Sequence, residues 1–164
     1  MLNSEEKNDQ LLNKMKLRFE TYVNASFETV KSRFNLHLLE YLSPSFPRIN
    51  IKRYDGNEVG NQIHIHLGFI LFTWKWVSKI SSFVSTTTNW YFVDEGIQLP
   101  PFLKQWSHKH EIQKSENKSI IVDEIHFEAS KFWPGFLVKF MLWMQFSQRP
   151  ALYKKYFMSS EKGH

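Results

Sequence analysis

The residues with the most chemical potential sit in two adjoining segments in the second half of the chain. From Lys104 to Lys114 the even positions are Trp106, His108, His110 and Ile112, and the odd ones are Gln105, Ser107, Lys109 and Glu111. This alternation puts an indole and two imidazoles on one face of a β-strand, the face that turns inward. From Ser119 to Ala129, Ile121, Asp123, Ile125 and Phe127 share a face, which is taken as the inward one although Ile120 and Val122 lie on the other. A symmetric turn at Glu116-Asn117 sets His110 opposite Asp123, and directly opposed Cβ atoms in a sheet stand about 4.5–5.5 Å apart, within reach of an imidazole–carboxylate hydrogen bond. A carboxylate beside an imidazole raises its pKa and fixes its tautomer, while burial works against its charge. General acid–base catalysis needs such a pair, and so does a structural pair that pins strand register. His110 and Asp123 are therefore the catalytic candidates, and neither reading is fixed by the sequence.

Other chemistries find less support. His64 and His66 repeat the His-x-His spacing that can hold two zinc ligands, but they alternate with Ile63, Ile65 and Leu67, so they belong on the outer face, and no third ligand stands out. No metal and no cofactor is expected. The chain has no cysteine, which excludes disulfides, thiolate metal sites and a cysteine nucleophile. It contains no glycine-rich phosphate loop, no Gly-x-Ser-x-Gly elbow and no His-Glu-x-x-His.

The elements that must position these residues follow from patterning. Residues 1–16 form a polar leader, helical or disordered, without an apolar run that would mark a signal peptide, so a cytoplasmic location is expected. Residues 17–164 read as one domain. Leu17 to Ala25 alternates like a strand, Ser26 is a helix N-cap, and Phe27 to Leu42 is one helix or two short ones stopped by Ser43-Pro44. Strands are then expected at Arg48 to Tyr54, Asn61 to Leu67, Thr73 to Ile80, Val84 to Asp94, Lys104 to Lys114 and Ser119 to Ala129. A hairpin turn is placed at Asp55-Gly56-Asn57 and a proline-bearing loop at Glu95 to Leu103. Trp133 to about Phe157 is helical, with Pro134 in its first turn and Pro150 a kink or break. A run of antiparallel strands set apart from helices is α+β, with one curved sheet on a helix.

Composition adds the character of the interior. Of 164 residues 42% are hydrophobic and 23% charged, and fifteen Phe, six Trp and six Tyr make aromatics 16%, a surplus that points to a large or partly hollow core. Trp74 and Trp76 share a strand face, as do Trp90 and Phe92. From Gly135 to Phe146 only Lys139 and Gln145 are polar, so the helix is apolar all round yet too short to span a bilayer, which takes about 20 apolar residues. The net charge of +5 resides in the C-terminal stretch, where Lys131, Lys139, Arg149, Lys154, Lys155 and Lys162 meet only Glu161. That density is low for a nucleic-acid binder and suits peripheral contact with an anionic lipid surface. The oligomeric state is not legible.

The element order and these residues resemble the helix-grip fold of the START and birch-pollen-allergen superfamily, also called SRPBCC proteins, from about Leu17 to Phe157. Pro100 to Ile112 (PPFLKQWSHKHEI), Ile120 to Phe127 (IIVDEIHF) and Phe146-Ser147-Gln148-Arg149 are similar to the signature of a bacterial branch of small ligand-binding members, with Pro100 where that pattern has glycine. The resemblance implies a seven-stranded antiparallel sheet curled around the C-terminal helix, two short helices after the first strand, and a cavity for an apolar or amphipathic small molecule. On that basis Trp74, Trp76, Trp90, Phe102, Trp106, His108, His110, Asp123, Phe136, Phe140, Met141 and Met144 are the expected ligand-binding residues. A non-enzymatic carrier of a lipid, steroid-like or polyketide-like molecule is the leading expectation. A cyclase or dehydratase using His110 and Asp123, and an accessory protein docking on a membrane or protein through its C-terminal helix, are the alternatives.

Overall fold

The computed structural model describes residues 14–158. Seven antiparallel strands form one sheet in the spatial order β1-β7-β6-β5-β4-β3-β2: β1 (Lys14–Val23), β2 (Arg48–Tyr54), β3 (Gln62–Gly68), β4 (Thr73–Ser85), β5 (Asn89–Gln98), β6 (Leu103–Ser115) and β7 (Lys118–Ala129). Strand β1 starts at Lys14, so the last three residues of the expected leader belong to the sheet, and the rest of that leader lies outside the described residues. Irregularities in pairing between Ile51 and Arg53, Val77 and Ser78, Ile80 and Ser82, and Leu103 and Gln105 bend the strands, so the sheet curls.

Two short helices, α1 (Phe27–Ser32) and α2 (Leu36–Tyr41), carry the chain from β1 to the far edge. Each is started by a side chain: Ser26 Oγ accepts from Thr29 N–H, and Asn35 Oδ1 accepts from His37 and Leu38 N–H. The second of these caps is why one apolar period becomes two helices. The C-terminal helix also divides, into α3 (Gly135–Phe146) and α4 (Arg149–Met158), with Pro150 in the first turn of α4, where its missing N–H costs nothing. Among the described residues no helix is long and apolar enough to cross a membrane.

One turn differs from expectation. The β4–β5 reversal is at Thr86 to Thr88 rather than around residues 81–83, because Thr86 Oγ1 closes the turn by accepting from Thr88 and Asn89 N–H while donating to Asn89 C=O. Strand β5 is thereby shifted toward Gln98, and the proline loop shrinks to residues 99–102. The Asp55-Gly56-Asn57 signal opens a longer loop, in which Gly56 (φ 119°) and Gly60 (φ 94°) take backbone conformations closed to other residues and Asp55 accepts from Gln62 N–H.

The core gathers in two clusters. One packs Phe27, Val30 and Leu38 of α1 and α2 against Trp90, Phe92 and Ile112, together with Tyr153 and Phe157 of α4. The other packs Val138, Leu142 and Phe146 of α3 against Leu17, Phe102, Trp106, Ile125 and Phe127.

Candidate functional site

A cavity of about 420 Å³ draws its lining from both clusters, a volume within the range that takes small molecules. Ile63, Ile65 and Leu67 of β3 line it, which leaves His64 and His66 on the other face; His64 Nε2 pairs there with Gln62 Oε1 at 2.8 Å. Trp76, Trp106, Phe102, Met141 and Met144 also line it, as do Asp94, His108, His110 and Arg149. One wall of an apolar chamber is therefore polar.

The polar wall is built across three strands. His110 stands opposite Asp123 in the β6–β7 register, as the turn geometry requires, and His108 stands opposite Asp94 in the β5–β6 register. The side chains bond diagonally instead. His108 Nε2 meets Asp123 Oδ1 at 2.8 Å and His110 Nε2 meets Asp94 Oδ2 at 2.9 Å, while the directly opposed pairs, His110 Nδ1 to Asp123 and His108 Nδ1 to Asp94, are 3.7 Å apart. The expected His110–Asp123 hydrogen bond is thus replaced by two crossed ones. The two rings lie close together, centroids 3.6 Å apart and tilted by 37°, and run in opposite senses between the carboxylates, which favours the diagonal partners. Phe92 stacks on the other side of His110 at 4.4 Å and holds it there.

Each carboxylate has a further donor. Trp106 Nε1–H donates to Asp94 Oδ1 at 3.0 Å, and Arg149 Nη1 donates to Asp123 Oδ1 at 3.2 Å with its guanidinium 4.2 Å above the Phe146 ring. Tyr153 is wholly buried beside Asp123 and Arg149, its hydroxyl in their field without a well-formed hydrogen bond. The electrostatics follow from this arrangement. Burial pushes the Asp123 carboxyl up, but the charge of Arg149 and the bond from His108 outweigh it and hold Asp123 well below the usual carboxylate range. Asp94 is also lowered, with burial outweighed by His110, His108 and Trp106. Burial and the proximity of His110 push His108 down to about 4, against the pull of both aspartates, so it is neutral at pH 7. An ionised carboxylate only accepts, so each Nε2 carries a proton and donates. His110 Nδ1 is left buried and without a partner.

Neutral His108 can accept or relay a hydrogen bond at neutral pH but is a poor proton donor. His110, bonded to Asp94, is the better placed of the two for proton transfer. Asp94, His108 and His110 also bring one possible ligand atom each within 4.8 Å of one another, a set that could hold a divalent cation if the proton between His110 and Asp94 were displaced.

The twelve expected ligand-binding residues fall in four groups. Trp76, Phe102, Trp106, His108, His110, Met141 and Met144 meet around the cavity. Asp123 stands behind the histidines and Trp74 in an aromatic cluster with Phe69, Phe72 and Trp133, neither on the lining. Trp90 is a core wedge between Phe34, Phe83 and Phe92 rather than part of the wall. Phe136 and Phe140, expected in the helical wall, are exposed instead. At 100° per residue they lie opposite Val138 and Leu142, the face that α3 turns inward. Three contributors were missed in the sequence. Asp94 falls at the end of its expected strand, Arg149 stands out only in the C-terminal signature and the basic stretch, and Tyr153 carries no signal.

No family model matches the chain, and no curated protein matches it. Solved structures do. The di-domain ARO/CYC StfQ from the steffimycin biosynthetic pathway superposes with TM-score 0.70 at 9% identity over 96% of this chain, which spans 56% of that one. A START superfamily protein from Mycobacterium smegmatis gives 0.62 at 13% identity over 88% of this chain and 97% of its own. Norcoclaurine synthase from Thalictrum flavum gives 0.62 at 12% identity, over 88% and 87% respectively. The chain has the helix-grip fold that these structures share, an architecture found in a synthase, an ARO/CYC protein and a START superfamily protein.

Proposed function

We propose that the protein binds a largely apolar small molecule in the cavity between the sheet and α3, as a carrier or receptor, with the ligand's polar end toward His108, His110 and Arg149. The observation that carries this reading is the chamber itself: about 420 Å³, lined largely by aliphatic and aromatic side chains, with Asp94, His108, His110 and Arg149 in its wall. Interiors are otherwise close-packed, and a hollow of this size with convergent polar groups is the usual form of a ligand site. Asp123 is paired with Arg149 and both aspartates are held by hydrogen bonds from the histidines, which suits recognition better than turnover. A cyclase or dehydratase reading would rest on His110 with Asp94 in place of Asp123.

Native mass spectrometry of the purified protein, with solvent extraction of what co-purifies, tests the proposal. A small-molecule adduct is expected, and added Nile red should bind with a blue-shifted emission. Replacing Ile65 by Trp fills the chamber and should abolish both. Retention of the adduct and of dye binding in Ile65→Trp would place the ligand elsewhere.

A further inference from the structure

The apolar side chains left outside are as informative as the cavity. Ile70 and Leu71, at the tip of the β3–β4 hairpin, are each 90% exposed, and Phe72 beside them is half exposed. Phe46 and Phe69 lie on the cavity lining and are in ring contact with each other; Phe69 in turn contacts Phe72 and Trp74, and Trp74 contacts Trp133 just before α3. The apolar surface is therefore continuous from the hairpin tip to the start of that helix. Along α3, Phe136, Phe140, Trp143 and Met144 form an exposed stripe, with Phe140 and Trp143 stacked at 6.2 Å. Met144 belongs both to this stripe and to the cavity lining. Both rims of the opening thus carry solvent-facing apolar side chains, on a scale that marks a contact surface rather than scattered exposure.

Charge indicates what the surface contacts. The segments that supply its exposed side chains, residues 46–47, 69–74 and 131–144, hold Lys131 and Lys139 and no Asp or Glu. Arg149 is partly buried and paired with Asp123, whereas Lys131 and Lys139 are exposed among the aromatic side chains, with Lys131 Nζ 4.9 Å from the Phe132 ring centre. A second copy docked through the same surface would set like charges against each other. An anionic lipid surface matches both the charge and the apolar tip, with Trp143 suited to the headgroup level.

We propose that this rim, comprising the Ile70–Phe72 tip, Phe46 and the Phe136–Phe140–Trp143–Met144 stripe, seats the protein on an anionic membrane with the cavity mouth facing the lipid. The proposal goes beyond the cavity reading and does not rest on it, because docking can be measured whether or not the chamber is occupied.

Co-sedimentation of the full chain with vesicles tests it. Binding is expected to phosphatidylglycerol vesicles, weakening as salt rises, and to be much lower with phosphatidylcholine alone. The double variant Ile70→Glu/Leu71→Glu should lower the partition coefficient by about a hundredfold, since two apolar side chains no longer enter the bilayer and two like charges face it. These side chains are almost fully exposed, so the fold should be unaffected. A second variant, Phe136→Glu/Phe140→Glu, should act in the same direction. Val59→Glu, exposed in the β2–β3 loop at the other end of β3, should bind like the parent. No pelleting with phosphatidylglycerol, or unchanged pelleting of the hairpin variant, overturns the proposal. So does a dimer in sedimentation equilibrium that the hairpin variant disperses, which would assign the surface to a second copy.

Discussion

At the scale of single residues, the crossed histidine–aspartate bonds determine how the protein responds to acid. In the unfolded chain His108 titrates near its ordinary 6.5, and in the fold near 4, so between these values the unfolded state takes up a proton that the folded state refuses. The contribution of this site to stability should therefore be complete above about pH 6.5 and be lost progressively as the pH falls toward 4. Asp123, also lowered, adds a loss of the same sign once the pH drops below the ordinary carboxylate value. The His108 ring resonances in NMR spectra should accordingly stay flat from pH 7 to pH 5; a midpoint near 6.5 would show that the ring is charged in the fold. The Arg149 contact with Asp123 makes a second prediction. Asp123→Ala leaves a buried guanidinium unpaired and should cost about 3–5 kcal/mol in urea unfolding, and Arg149→Met added to it should recover part of that loss. A double variant no more stable than the single one would show that the pair is not coupled. Sequence spacing carried the facing of these residues and the His110–Asp123 register. It could not carry the bonding, because the close, tilted approach of the two imidazoles favours the diagonal partners and depends on Phe92 and Asp94 of β5, whose starting turn the pattern does not reveal.

At the scale of elements, period-2 alternation was legible in β1, β6 and β7, whose inward faces hold Leu17, Trp106 and Ile125 much as the pattern indicates. The β4–β5 turn was not, because Thr86, Thr87 and Thr88 are good strand formers and the turn is made by a threonine hydroxyl that composition does not advertise. In α3 the pattern was uninformative for the opposite reason. When nearly every position is apolar, periodicity cannot say which side faces the sheet. Packing decides it, and truncation tests the decision: Leu142→Ala should cost about 2–5 kcal/mol in urea unfolding. Phe140→Ala should stay within about 0.5 kcal/mol, as surface changes do. Equal costs would mean that α3 is rotated from the orientation described here.

At the scale of the whole molecule, the surplus of aromatic residues divides into two populations with different duties. Trp76, Phe102 and Trp106 wall a chamber, while Phe136, Phe140 and Trp143 face outward on the same helix-and-sheet frame. A sequence reports only their sum. If the chamber takes an apolar molecule, the empty and filled proteins differ in stability by the binding free energy, about 2.7 kcal/mol at a free ligand concentration one hundred times Kd. Solvent-extracted protein should therefore melt at a lower temperature than protein as purified, and adding back the extract should restore it. Identical melting curves would count against an occupied cavity.

The order of the sheet also sets a timetable. Among the described residues β1 hydrogen-bonds to β7 alone, with Lys14 opposite Glu128 and Val23 opposite Ser119, so the first of these strands to be made waits for the last. At about 5–20 residues per second of synthesis, that wait lasts several seconds or more. Throughout it β1 is an unpaired strand with one apolar face, and β2 to β6 can only assemble a sheet that still lacks its closing edge. The nascent chain is most vulnerable to wrong pairing in this interval, and the ribosome-bound intermediate, rather than the finished protein, is where a chaperone would be needed.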